Sequence, residues 1–123
     1  MNRAIIMASS LLLLSWGIAH LFPVKSVVKS FGNISKDNMR ILTMEWINEG
    51  ITLIFIATIV ATLTALDYQN MISITIYVQC IIVLNILSIV SFFTAFKVHA
   101  LPYKLCPVIF TGSSILILMG IIL

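Results

Sequence analysis

Apolar residues run in four long blocks along the chain, Ala4–Phe22, Ile41–Leu66, Met71–Phe96 and Leu105–Leu123, with short polar interruptions between them. Each block is close to or beyond the roughly 20 residues a helix needs to cross the hydrocarbon core of a bilayer. The blocks are continuous, whereas a membrane barrel strand is about 10 residues of alternating hydrophobicity. In lipid the backbone must satisfy its own N–H and C=O groups, so blocks of this kind predict helices. The pattern therefore predicts an all-α integral membrane protein, a four-helix transmembrane bundle in a single domain over residues 1–123. Its helices are expected near 4–22, 36–66, 71–96 and 105–123.

A second periodicity lies between the first two blocks. Val24, Val27, Val28 and Phe31 follow the i, i+3, i+4, i+7 spacing of one helical face, with Lys25 and Lys29 off that face. Pro23 suits the start of such a helix and Gly32 its end. The spacing predicts a short amphipathic helix lying on the membrane surface, an anchor or a gate over a site between the helices. Further on, Ser35 is a good N-cap, and Asp37 in the first turn complements the helix dipole.

Composition agrees with this reading. Hydrophobic residues make up 61% of the chain and charged residues 9%, against about 25% charged in a typical soluble domain. No linker, repeat or low-complexity tract divides the chain. The first block could pass for a signal peptide, but no A-x-A-like cleavage site follows it.

The cations are unevenly placed. Lys25, Lys29, Lys36 and Arg40 fall in the first connection and Lys97 and Lys104 in the third, while only Arg3 lies at the other end. The positive-inside rule places loops one and three in the cytoplasm and both termini outside. A net charge of +3 distributed this way suits anionic lipid headgroups. It does not suit nucleic acid, since no groove-reading element is present. Trp46, Tyr68 and Tyr103 fit interfacial anchors. Cys80 and Cys106 fall at opposite depths of a helical hairpin, so they read as small apolar fillers rather than a disulfide.

The chemistry concentrates on the second helix. Glu45 and Glu49 are four residues apart and so share a face. A carboxylate inside an apolar zone is expensive and normally faces the bundle interior with a partner. His20 near the end of helix one, with Trp16 one turn before it, falls at similar depth. Asn85, Ser88, Ser91 and Thr94 on helix three and His99 in loop three add to the polar set at the same end.

Three readings follow. One is a hydrogen-bonded network that only sets register, with a glutamate on His20 and Asn48 on Asn85. Another is a pocket for a small amphipathic ligand, lined by Trp16, His20, Glu45, Glu49 and Asn85. In that pocket the glutamates accept a proton or cation, His20 relays or pairs, and Trp16 and Asn85 shape the walls. The third is a metal or catalytic site of His20 with Glu45 and Glu49. No Glu-x-x-His, H-E-x-x-H, C-x-x-C or G-x-S-x-G motif supports it, and the sequence specifies no cofactor. Separately, Gly50, Ala57, Ala61 and Ala65 form a small-xxx-small stripe on helix two. Such a stripe serves packing within the bundle, or contact in a homodimer or a larger membrane complex.

Gly17-Ile18-Ala19-His20-Leu21 closing helix one and Glu49-Gly50-Ile51-Thr52-Leu53 within helix two resemble the layout of the DoxX-like family of small four-helix membrane proteins. The resemblance covers about half the chain. His20 stands where that family usually has lysine, and the family's Gly-Thr-Arg-like ending of helix two is missing. The resemblance implies the four-helix fold and an association with membrane redox enzymes, quinones or a chaperone-like partner.

Overall fold

The computed structural model describes residues 1–95, 97 and 101–123, leaving aside the side chain of Pro102. Five helices follow in order: α1 (Arg3–Leu21), α2 (Val24–Ser30), α3 (Lys36–Asp67), α4 (Met71–Ala95) and α5 (Leu101–Ile122). No strand occurs among the described residues. Four of these helices, all but α2, are long and apolar enough to cross a membrane.

Local chemistry sets the boundaries. Asn2 caps α1, its side chain accepting from the backbone N–H groups of Ala4 and Ile5. Ser35 caps α3 by accepting from Asn38 N at 3.1 Å. Each cap occupies donors that the helix cannot satisfy itself. Gly32 ends the α2 segment with φ at +75°, the one positive φ of the described chain. Its N–H donates to Lys29 O at 3.1 Å. The expected short helix is thus present, with Val28 buried and Lys25 and Lys29 exposed.

The last helix begins four residues earlier than the apolar block suggests, at Leu101 rather than near 105. Pro102 in its first turn costs no hydrogen bond there, since the opening N–H groups have no helical partner. Tyr103, expected in the loop, therefore sits on α5. The third block was expected to close at Phe96, which lies outside the described residues, as does His99.

The helices pack in the order α4, α5, α1, α3. Helix α1 lies against both α3 and α5, and α5 lies against α4. Helices α3 and α4 are consecutive in the chain yet touch only sparsely. They are held near their connection, where Thr64 Oγ1 and Tyr77 Oη are 2.9 Å apart and both side chains are buried. Further from that connection the pair opens.

The distribution of polarity is inverted relative to a water-soluble bundle. Small hydroxyl residues are inside: Ser9 donates to Ser113 O at 2.9 Å and Ser10 to Ala57 O at 2.8 Å. Ser88 donates to Pro107 O at 3.1 Å and lies 2.6 Å from Thr111 Oγ1. Large apolar side chains are outside, as at Leu11, Phe55 and Ile89, each more than half exposed. Small residues let backbones approach, and hydroxyls bridge helices where lipid offers no competing partner.

Helices α1 and α3 approach each other backbone to backbone. A Cβ on Gly17 would stand 3.0 Å from Gly50 O, and a Cβ on Gly50 would stand 3.1 Å from Gly17 O. Ala57, further along the same stripe, is buried against α1 and accepts from Ser10. The α1–α3 contact thus occupies the Gly50 and Ala57 positions of the small-residue stripe, while Ala61 is half-buried and Ala65 exposed.

Candidate functional site

The glycine crossing places the end of α1 against α3 one turn before His20. His20 is 3% exposed. Its Nδ1 is 3.0 Å from Trp16 O. A carbonyl oxygen only accepts, so Nδ1 carries a proton. Nε2 is turned the other way, 3.7 Å from Glu49 Oε1 and 3.9 Å from Cys106 Sγ.

An aromatic collar fixes the ring. Trp46 stacks on His20 with centroids 5.1 Å apart, and Trp16 meets it edge-on at 5.4 Å. Tyr103 meets Trp46 edge-on at 5.5 Å. The Trp46 indole N–H donates to His20 O at 2.6 Å. That carbonyl lies in the last turn of α1, where helical partners run out. Trp46 therefore caps α1 from α3 and stacks on the imidazole with one side chain. Two polar atoms of the collar, Trp16 Nε1 and Tyr103 Oη, are buried without a hydrogen-bond partner among the described residues.

Beside the cluster lies a groove of about 440 Å³. It occupies the gap where α3 and α4 diverge. Glu45, Asn48, Glu49 and Thr52 of α3 face Leu87, Val90, Ser91 and Thr94 of α4 across it, and Val27 and Val28 of α2 close one end with Phe31, the C-cap residue of α2. Two smaller cavities adjoin the cluster. One of about 300 Å³ runs under α2 past Trp16, His20 and Trp46. The other, about 270 Å³, is lined by Glu49, Ser91, Thr94, Tyr103 and Cys106 with Trp46 and Ala95. Trp46 borders all three, and Glu49 borders both the groove and the smallest cavity.

The sequence-nominated residues separate into groups. Trp16, His20 and Glu49 come together in the cluster. Glu45 is exposed and lines the groove without meeting the imidazole. Asn85 belongs to neither. Its Nδ2 donates to Ile81 O at 2.8 Å and to Ser114 Oγ at 3.3 Å, which places it in the α4–α5 seam rather than on Asn48. Two residues central to the site carry other expectations in the sequence. Cys106, expected as a small apolar filler, stands in the second turn of α5 at the depth where His20 closes α1. Trp46 fits an interfacial anchor by position, and its four-residue spacing from Gly50, three from Glu49, is what turns it onto His20.

No family model, curated protein or solved structure matches this chain.

Proposed function

We propose that the chain is an integral membrane protein that binds a small amphipathic molecule in the groove between α3 and α4, as a binding or transport-accessory protein. The reading of a transmembrane bundle rests on the inverted polarity: buried serines bridge the helices, and isoleucine, leucine and phenylalanine cover the outside. In water that outer surface would far exceed the apolar patches of a few hundred Å² that monomers expose. The cation-rich end, with Lys25, Lys29, Lys36, Arg40, Lys97 and Lys104, takes the cytoplasmic side by the positive-inside rule, and both termini lie outside.

The groove carries the binding reading. Its walls divide into an apolar part (Val27, Val28, Phe31, Leu42, Leu87, Val90) and a polar part (Glu45, Asn48, Glu49, Thr52, Ser91, Thr94). A ligand with an apolar body and a head that donates hydrogen bonds or carries positive charge satisfies both. Its volume of about 440 Å³ is within the usual roughly 300–1,000 Å³ of small-molecule sites.

The test is native mass spectrometry of the protein released from detergent or nanodiscs. Thr52→Phe and Val90→Trp, which fill the groove away from the imidazole, should remove a co-purifying small molecule that the wild type retains. Glu45→Gln with Glu49→Gln should weaken its retention. A mass that persists undiminished in both sets sinks the groove reading.

A further inference from the structure

Three side chains from three helices converge on one small space beside the groove. Nε2 of His20, a carboxylate oxygen of Glu49 and Sγ of Cys106 all lie within 4.8 Å of one another. The two measured edges, 3.7 Å and 3.9 Å, are long for the hydrogen bonds that such groups form when they meet directly. They are close to the edges of a metal coordination tetrahedron. Bonds of about 2.0–2.3 Å to nitrogen, oxygen and sulfur put ligand atoms roughly 3.3–3.6 Å apart. These two edges need to shorten by a few tenths of an ångström, and the third, between Glu49 and Cys106, is at most 4.8 Å and closes by rotation of the Glu49 carboxylate.

We propose that His20 Nε2, Glu49 and Cys106 Sγ bind a divalent first-row ion of the zinc class. Orientation of the imidazole is the first support. Trp16 O holds the Nδ1 proton at 3.0 Å, which leaves the Nε2 lone pair to face the other two donors. A backbone carbonyl on the far nitrogen is the outer partner that metal-bound histidines characteristically have. The stack with Trp46 and the edge contact with Trp16 hold the ring plane.

Charge is the second support. A thiolate and a carboxylate carry two negative charges, and the imidazole is neutral as a ligand. A divalent ion makes the site neutral overall, which lowers the cost of placing it among apolar helices. The ion takes the place of the thiol proton, which is released to solvent. The donor set, one sulfur, one imidazole nitrogen and one carboxylate, is of the kind zinc accepts.

The fourth position is the third support. Three helices supply one donor each, α1, α3 and α5, and α4 supplies none. Two of the three donors, Glu49 and Cys106, border the cavity of about 270 Å³ where Ser91 and Thr94 of α4 and Tyr103 stand, which leaves room there for a fourth ligand. Tyr103 Oη is buried there without a partner among the described residues. A water or a ligand head on the ion would give it one. Three protein donors with an open fourth position is the arrangement of zinc sites that bind or activate a further molecule, not of closed structural sites.

The experiment uses the full chain in detergent, loaded with Co²⁺ alone and then with Zn²⁺ in competition. Wild type should take up one Co²⁺ per chain, with visible bands of four-coordinate cobalt and a near-ultraviolet thiolate-to-cobalt band, all erased by Zn²⁺. Cys106→Ser should abolish the thiolate band, and Cys80→Ser should leave it intact. Glu49→Gln and His20→Ala should weaken uptake by more than the roughly 10–100-fold that loss of an outer partner costs. A folded wild type that shows no thiolate-to-cobalt band overturns the site, whatever the variants do. So does a band that survives Cys106→Ser. Because Thr52 and Val90 lie outside the trio, their variants should keep the cobalt spectrum even where they empty the groove, so the two readings fail separately.

Discussion

Gly17 and Gly50 meet backbone to backbone, each leaving no room for a Cβ beneath the other's carbonyl oxygen. This crossing brings α1 onto α3 one turn from His20, so the geometry of the site depends on two residues that contribute no side chain to it. Gly17→Ala or Gly50→Ala should destabilise the bundle by about 1–3 kcal/mol, the usual cost of overpacking. Either should also spread His20 from Glu49. Gly112 is the control: a Cβ there meets nothing within 4 Å. Gly112→Ala should be neutral, or stabilising by up to about 1 kcal/mol through helix propensity. Unfolding by denaturing detergent measures all three.

The Thr64–Tyr77 pair, together with Ser73 donating to Asp67 O at 2.6 Å, pins α3 to α4 near their connection. Thr64 also donates to Val60 O at 2.6 Å, so Tyr77→Phe leaves the threonine satisfied and removes one bond between the helices. The expected loss is about 0.6 kcal/mol and at most about 1.7. A double-mutant cycle with Thr64→Val should return a coupling of that size.

Trp46 has two tasks that a single substitution separates. Trp46→Phe keeps an aromatic face for His20 and removes the N–H that satisfies His20 O. A buried acceptor left without its donor costs about 1–3 kcal/mol. Trp46→Phe should cost less when added to a variant that already unseats the end of α1, such as Gly17→Ala, than it costs in the wild type.

Sidedness is checked by thiol labelling with a membrane-impermeant reagent in a background of Cys80→Ser and Cys106→Ser. Single cysteines at Arg3 and Gln69 should react in intact cells. Those at Lys36 and Lys97 should react only after permeabilisation. The opposite pattern would place the basic loops outside.

Much of the fold was legible in the chain, because block length and continuity bear directly on helix number. The short α2 was legible from its valine spacing, its proline and its glycine. The start of α5 was not: hydropathy reports where the apolar run begins, whereas a helix begins where its first N–H groups can go unpaired, and Pro102 tolerates that. For the site, a shared helical face correctly brought Glu49 inward, since one carboxylate near a histidine at the same depth has few other partners. It overreached for Glu45, four residues nearer the helix start, where α2 and α4 leave the face open. Asn85 lies outside the cluster for a similar reason. Depth alone does not say which neighbour a residue meets, and α4 turns it toward Ser114 of α5. Cys106 required comparison between the end of the first helix and the start of the last, 86 positions apart, and no local pattern links them.

A helix pair fastened at one end behaves as a lever. From Tyr77 to Thr94 is about 26 Å of helix at 1.5 Å per residue, so each 5° of tilt about the fastened end shifts the far tip by roughly 2 Å. Rocking of α4 would therefore widen or shut the mouth at Ser91 and Thr94 only by sliding α4 along α5, against the bonds that Ser88 and Asn85 make to it.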